Sequence, residues 1–266
     1  MEIKAAGVGF CCADVYEKLG CFYPTGNGVD WGIHLSRMGI DVSIVSVVGT
    51  DSYGERMKQE LEKEKINVAH LRTEPGDTCK MMMDLKNGTD RVHLEEIEGV
   101  MESYQLTAEE IEFVKSNDYM HTDLFGRVLE HLEEFHRAGV KIVMDFSIFS
   151  QDPEYNCERL FPYVDYVFFS CDNTEEEPLI AWIKKIHSYG PKIVTATRGE
   201  KGSISYDGEK VYRFGIFPAN VVNTVGAGDS YIAGFTYGIM TGRDLPACME
   251  MGARLSSEVI TRFEPY

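Results

Sequence analysis

The sequence predicts an α/β fold: a mostly parallel sheet covered on both faces by helices. Three observations carry this. Short β-branched runs alternate with helical patterns along the chain. The expected strands are nearly continuous in apolar residues, as strands buried on both faces are. The 266 residues suit one large domain with an appendage, and no internal repeat or low-complexity linker divides them.

Taken in order, β-branched runs predict core strands at 3–9, 42–49, 140–146, 164–170 and 192–197. Helical patterns fall at 28–38, 53–65, 108–115, 125–138, 176–188, 226–240 and 246–262. Residues 203–206 and 210–214, joined through Asp207-Gly208, read as a hairpin. Two segments break the layered pattern. Residues 11–24 are strand-like yet lie between the first strand and first helix, and 79–98 are extended with a turn at Asn87-Gly88. Both are expected at one end of the sheet as a small β lid, with ordinary surface hairpins as the alternative. In a parallel α/β sheet, ligands bind at the carboxyl ends of the strands.

The formal charge of −17 argues against nucleic-acid binding, because so acidic a surface repels phosphate backbones. It would attract a cationic substrate. Seven cysteines, at 11, 12, 21, 79, 157, 171 and 248, form no C-x-x-C pair. This scatter is expected of reduced thiols rather than of disulfides or a zinc site. The chain opens directly on a strand, and no apolar run reaches the ~18 residues of a membrane span, so the expectation is a cytoplasmic protein without a membrane partner.

The most informative string is Asn223-Thr224-Val225-Gly226-Ala227-Gly228-Asp229, read as following a strand-like stretch and opening an apolar helix. Small residues at a helix N-terminus let backbone N–H groups face a highly charged ligand. The adjacent carboxylate stands where it could take a proton from an attacking hydroxyl. Anion hole plus base is the minimum apparatus for phosphoryl transfer. The same letters also suit a tight turn with close helix packing.

With these features in hand, the chain resembles the ribokinase-like (PfkB) carbohydrate kinases nearly end to end. The resemblance implies a three-layer α/β/α sandwich with a small β lid formed near 11–24 and 79–98, as a single domain over 1–266. The late string is similar to the family's D-T-x-G-A-G-D signature. It implies Asp229 as catalytic base and the amides of Gly226, Ala227 and Gly228 as anion hole, with Thr224 near ATP. Asn223 stands where the family has Asp, which leaves monovalent-cation activation open. The segment from Thr25 to Gly32 is similar to G-G-N-x-x-N-x-A and implies that Gly26, Asn27 and Asp30 line the sugar site with Asp14. Asp14 and Asp30 also suit turn and helix-start positions. Asn173-Thr174-Glu175-Glu176 fits N-x-x-E, implying Asn173 near the nucleotide and Glu176 on Mg²⁺ through water. Asn173 or Thr174 equally suits a helix cap. Residues 197–202 are similar to T-x-G-x-x-G, implying Thr197, Gly199 and Gly202 near ATP, or simply a turn.

Finer features, among them Asp145-Phe146-Ser147, Asp90-Arg91-Val92 and Glu98 to Met101, resemble the branch that phosphorylates the 6-hydroxyl of fructoselysine. Arg91, on the lid, is then a candidate substrate contact, or a solvated hairpin charge. The family's lid often mediates dimers, which implies a homodimer. The expected activity is ATP- and Mg²⁺-dependent phosphorylation of a sugar or fructosamine. The alternatives are another sugar or nucleoside kinase of the family, acting on ribose, a ketohexose or a keto-deoxy acid, or a non-catalytic ligand-binding member.

Overall fold

A computed structural model describes residues 3–86 and 90–266. The first half of the chain builds β1 (Lys4–Val8), β2 (Cys12–Tyr16), β3 (Cys21–Thr25), α1 (Asn27–Arg37), β4 (Asp41–Gly49), α2 (Ser52–Lys63), β5 (Asn67–Glu74), β6 (Lys80–Lys86), β7 (Asp90–Ile97), α3 (Ala108–Lys115) and β8 (Tyr119–Asp123). The second half adds α4 (Leu132–Ala138), β9 (Lys141–Asp145), β10 (Tyr166–Ser170), α5 (Glu176–His187), β11 (Ile193–Thr197), β12 (Ser203–Tyr206), β13 (Val211–Phe214), α6 (Ala227–Met240) and α7 (Leu245–Val259).

A nine-stranded sheet runs in the order β13-β12-β11-β10-β9-β8-β1-β4-β5. The strands from β5 across to β11 pair in parallel, and β12 and β13 add an antiparallel edge. Helices cover both faces, and two apolar cores result, one on each side. Fully buried Phe135, Phe146 and Phe161 lie in one, Trp31 and Phe235 in the other. Each such ring removed from water contributes roughly 1.5–3 kcal/mol.

A second sheet, in the order β3-β2-β6-β7, stands apart from the first. Two antiparallel hairpins, β2–β3 and β6–β7, join through a parallel β2–β6 pairing. This is the expected small β unit; the turn foreseen at Asn87-Gly88 lies outside the described residues.

The differences from expectation have physical causes. Two strands were not foreseen. In β5 (NVAHLRTE) polar letters outnumber apolar ones at a half-exposed sheet edge, and β8 (YMHTD) is fully buried yet carries His, Thr and Asp. The helix expected at 125–138 is helical only from Leu132, after a 3-10 turn at Leu129–His131. Asp123 accepts the N–H of Phe125 at 2.7 Å, and Arg127 takes a positive φ of 55°, so the chain after β8 turns rather than winds. The stretch before Asn223 is irregular, not a strand. Pro218 has no N–H to give a ladder, and Val222 instead donates to Ile260 O at 2.8 Å. The cap of α5 is Glu175, with no side-chain capping bond, rather than Asn173 or Thr174.

Candidate active site

The carboxyl ends of β1, β8 and β9 point toward the small sheet, and aspartates gather there. Asp123 and Asp145 are direct register partners at the ends of β8 and β9. Their side chains therefore leave the same face, roughly 5 Å apart. From β2, Asp14 comes in buried at 9% exposure, and from the first turn of α1 comes Asp30 at 1%. Half-buried Asp229, in the first turn of α6, completes the group.

Local geometry holds each one. Gly26 precedes α1 with φ of 140°, and a Cβ there would stand 2.4 Å from Phe10 O, so only glycine lets the chain enter α1 against that strand end. Thr25 Oγ1 donates to Asp30 Oδ2 at 2.8 Å, whereas Asp30 Oδ1 is buried without a partner among the described residues. Asn27 Nδ2 donates to Asp145 Oδ2 at 3.2 Å, and Ser147 N donates to Asp145 Oδ1 at 2.8 Å. Gly226 caps α6 in the left-handed region at φ of 72°, and a Cβ there would meet Pro265 O at 2.6 Å. The chain turns sharply into α6 at this point, and the amides of Ala227, Gly228 and Asp229 lie in its first turn. Those of Gly228 and Asp229 are among the N–H groups that a helix leaves without an internal partner, while Ala227 N makes a long bond to Thr224 O.

Burial raises all five carboxylates, by the ordinary penalty on charge removed from water. Asp229 is pushed up to about 6, with Arg91 pulling the other way. Asp14 likewise reaches about 6, its burial opposed by Arg91 and reinforced by Asp229. Asp123 and Asp145 rise to about 7, mainly through burial and with Asp229 adding to both. Asp30 moves well upward for the same two reasons. Arg91, exposed on β7, is the cation whose field reaches Asp14, Asp30, Asp145 and Asp229. Sequence reasoning missed Asp123 entirely and gave Asp145 no role. Their shared position follows from strand register, which no local motif encodes.

The residues expected near the nucleotide form a second, more open group. Ser170 and Thr197 are register partners at the ends of β10 and β11, with hydroxyls 3.1 Å apart. Exposed Asn173 follows β10, while Gly199 and Gly202 make the turn between β11 and β12. The carbonyl of Thr224 accepts from Ala227 N at 3.3 Å, so Thr224 belongs to the α6 turn. Glu176, expected on magnesium, is ion-paired to Arg213 at 2.6 Å and to Arg198 at 3.6 Å. Two guanidinium groups occupy its carboxylate, a poor fit to the hydration shell of Mg²⁺, and the described residues hold no cluster of three or more His, Cys, Asp or Glu suited to a metal. Asn223 is fully buried. Its Nδ2 donates to Phe263 O at 3.0 Å and its Oδ1 accepts from Val225 N at 3.1 Å. The amide thus ties the C-terminal segment to the α6 turn, and a carboxylate would lose the donor half of that tie.

Comparison with known proteins places this arrangement in a family. The pfkB family carbohydrate kinase model matches residues 22–266, and the chain belongs to that family. It is an ATP-dependent sugar kinase. The chain is 33% identical to the fructoselysine 6-kinase of Shigella flexneri, over 96% of each chain. To the fructosamine kinase FrlD of Bacillus subtilis (strain 168) it is 30% identical, over 96% of this chain and 90% of the relative. Among solved structures, Arabidopsis thaliana ribokinase complexed with ribose and ATP superposes with a TM-score of 0.84 at 19% identity, covering 98% of this chain and 94% of that one. The ribokinase-like fold expected from the sequence is therefore correct. Among the described residues, no helix is long and apolar enough to cross a membrane.

Proposed function

We propose that this chain transfers the γ-phosphoryl group of Mg·ATP to a primary sugar hydroxyl, and that its acceptor is the 6-hydroxyl of fructoselysine or a closely related fructosamine. The observation that carries the chemistry is the position of Asp229. It sits in the first turn of α6, directly after the left-handed Gly226, with its carboxyl raised to about 6 by burial. A base with that pKa is mostly ionised at neutral pH and still basic enough to accept a proton in the transition state.

In the proposed step the hydroxyl oxygen forms a bond to the γ-phosphorus while the bond from that phosphorus to the ADP oxygen breaks. The hydroxyl proton passes to Asp229. The amides of Gly226, Ala227 and Gly228, at the turn into α6, stabilise the charge on the transferring group. Magnesium accompanies ATP and offsets the charge of its phosphates; no step is assigned to it through Glu176, whose carboxylate is taken by arginine. Asp14, Asn27 and Asp30 hold the sugar through its hydroxyls. Carboxylates accept from two hydroxyls at once, and an amide both donates and accepts. Asn173, Thr197, Gly199, Gly202 and Thr224 border the nucleotide. The small sheet closes over the acceptor, excluding water and favouring transfer to the alcohol over hydrolysis. Similarity to the fructoselysine and fructosamine kinases supports the acceptor, as does the carboxylate-rich site, which favours a substrate that carries an ammonium.

The test is an ADP-release assay with Mg·ATP and fructoselysine, run beside fructose, ribose and a neutral fructosamine. Strong turnover confined to fructosamines is the expected result. Preferred turnover of ribose or fructose would replace the acceptor and keep the chemistry. ATP binding with no turnover on any sugar would defeat the catalytic assignment.

A further inference from the structure

A cavity of about 240 Å³ adjoins the aspartate cluster and has no part in the step above. Its walls are Phe10, Leu124, Phe125 and Met101. They follow directly from the sugar side: Phe10 O packs against Gly26, and Phe125 N is bonded to Asp123. Phe125 is 37% exposed, an aromatic face with room beside it. The polar lining is Glu96, Glu98 and Arg127, the last two forming an ion pair.

Glu96 reaches this place through a defect in the small sheet. Along β6 and β7 the partners are Leu85↔Arg91, Met83↔His93 and Met81↔Glu96, so Leu94 is left unmatched. That bulge reverses the alternation of side chains. Without it, Glu96 would point to the opposite face from Arg91. With it, Arg91, His93 and Glu96 share a face, and Asp14, the register partner of Met81 on β2, shares it too. Arg127 adds a second departure from regularity, with φ of 55°, a conformation that non-glycine residues seldom take. Both irregularities turn charged side chains toward one cavity. Burial and the neighbouring Glu98 push the Glu96 carboxyl upward, against the pull of Arg127.

We infer that this cavity is a second substrate subsite, which takes the amino-acid end of a fructosamine while the aspartates hold its sugar. An alkyl chain fits the aromatic and aliphatic walls. A zwitterionic headgroup matches a site that offers carboxylates and a guanidinium side by side: ammonium to Glu96 and Glu98, carboxylate to Arg127. A simple sugar has no group for any of these. The inference rests on the fructosamine reading above.

It is tested by steady-state kinetics with fructoselysine and with fructosyl-butylamine, which keeps the sugar and alkyl chain and lacks the amino-acid headgroup. The wild type is expected to show a KM for fructoselysine about tenfold below that for the analogue, as befits one or two charge-assisted contacts. Arg127→Gln and Glu98→Gln, made separately, are expected to raise KM for fructoselysine about tenfold and to leave KM for the analogue and both kcat values within about twofold. Equal KM values in the wild type, or variants that alter both substrates alike, overturn the subsite and leave the fructosamine reading standing. Turnover of other sugars with none of either fructosamine overturns both.

Discussion

Where β1, β8 and β9 end, five aspartates crowd between the sheet and β2, and all are raised by burial. Where β10 and β11 end, Asn173 is exposed and the charges include Arg198, Arg213 and Lys201. The contrast teaches what each ligand must be given. A sugar hydroxyl brings no charge, so the protein must supply acceptors and a base already desolvated and fixed in place, at a cost to stability. ATP brings its own charge, so under the proposed function a more open edge that carries cations is enough.

The first way to break this comparison is to remove the base. Asp229→Asn is expected to lower kcat by about 10³, within the usual range for general base catalysis, with sugar and ATP binding nearly retained. Single-turnover ADP formation beside titration of ligand binding checks it. A second change removes the cation that partly offsets burial at Asp14 and Asp229. Arg91→Met raises the pKa of Asp14 and Asp229, because Arg91 lowers both. The acid limb of the pH–rate profile should move up by about half a unit to one unit, with KM for the sugar rising a few-fold. An unmoved limb would mean that Arg91 is a solvated surface charge. On the nucleotide side the smallest effect is expected. Glu176→Gln should change KM for ATP by less than about threefold, because its pair with Arg213 is largely exposed and its pair with Arg198 is long, at 3.6 Å. A loss of a hundredfold, rescued by excess magnesium, would return Glu176 to the metal.

The same contrast explains what was legible in the sequence. Asp229, Asn27 and Asp30 sit at helix starts and Asp14 in β2, soon after the first strand, where local strings carry the signal, and the structure brings them together. Asp123 could not be read this way. Its strand hides behind polar letters, and its nearness to Asp145 is a matter of register between separate strands. Glu176 was legible as a helix-start acid, but its partner Arg213 comes from a strand 37 residues later. The small sheet was legible as two extended segments out of pattern. The bulge at Leu94, which aims Glu96, depends on pairing with β6 and has no signature within β7.

The most direct test of the central claim is the pH dependence of kcat/KM for the sugar substrate in the wild-type enzyme. Burial holds the Asp229 carboxyl near 6. A base acts only when ionised, so activity is complete above that value and lost as pH falls through it. The profile should fall away near pH 6, by about tenfold or more for each further unit, because Asp14 gains its proton in the same range. Activity that stays level down to pH 4.5, where a carboxyl raised to about 6 would be almost wholly protonated, would contradict the assignment of Asp229 as the base.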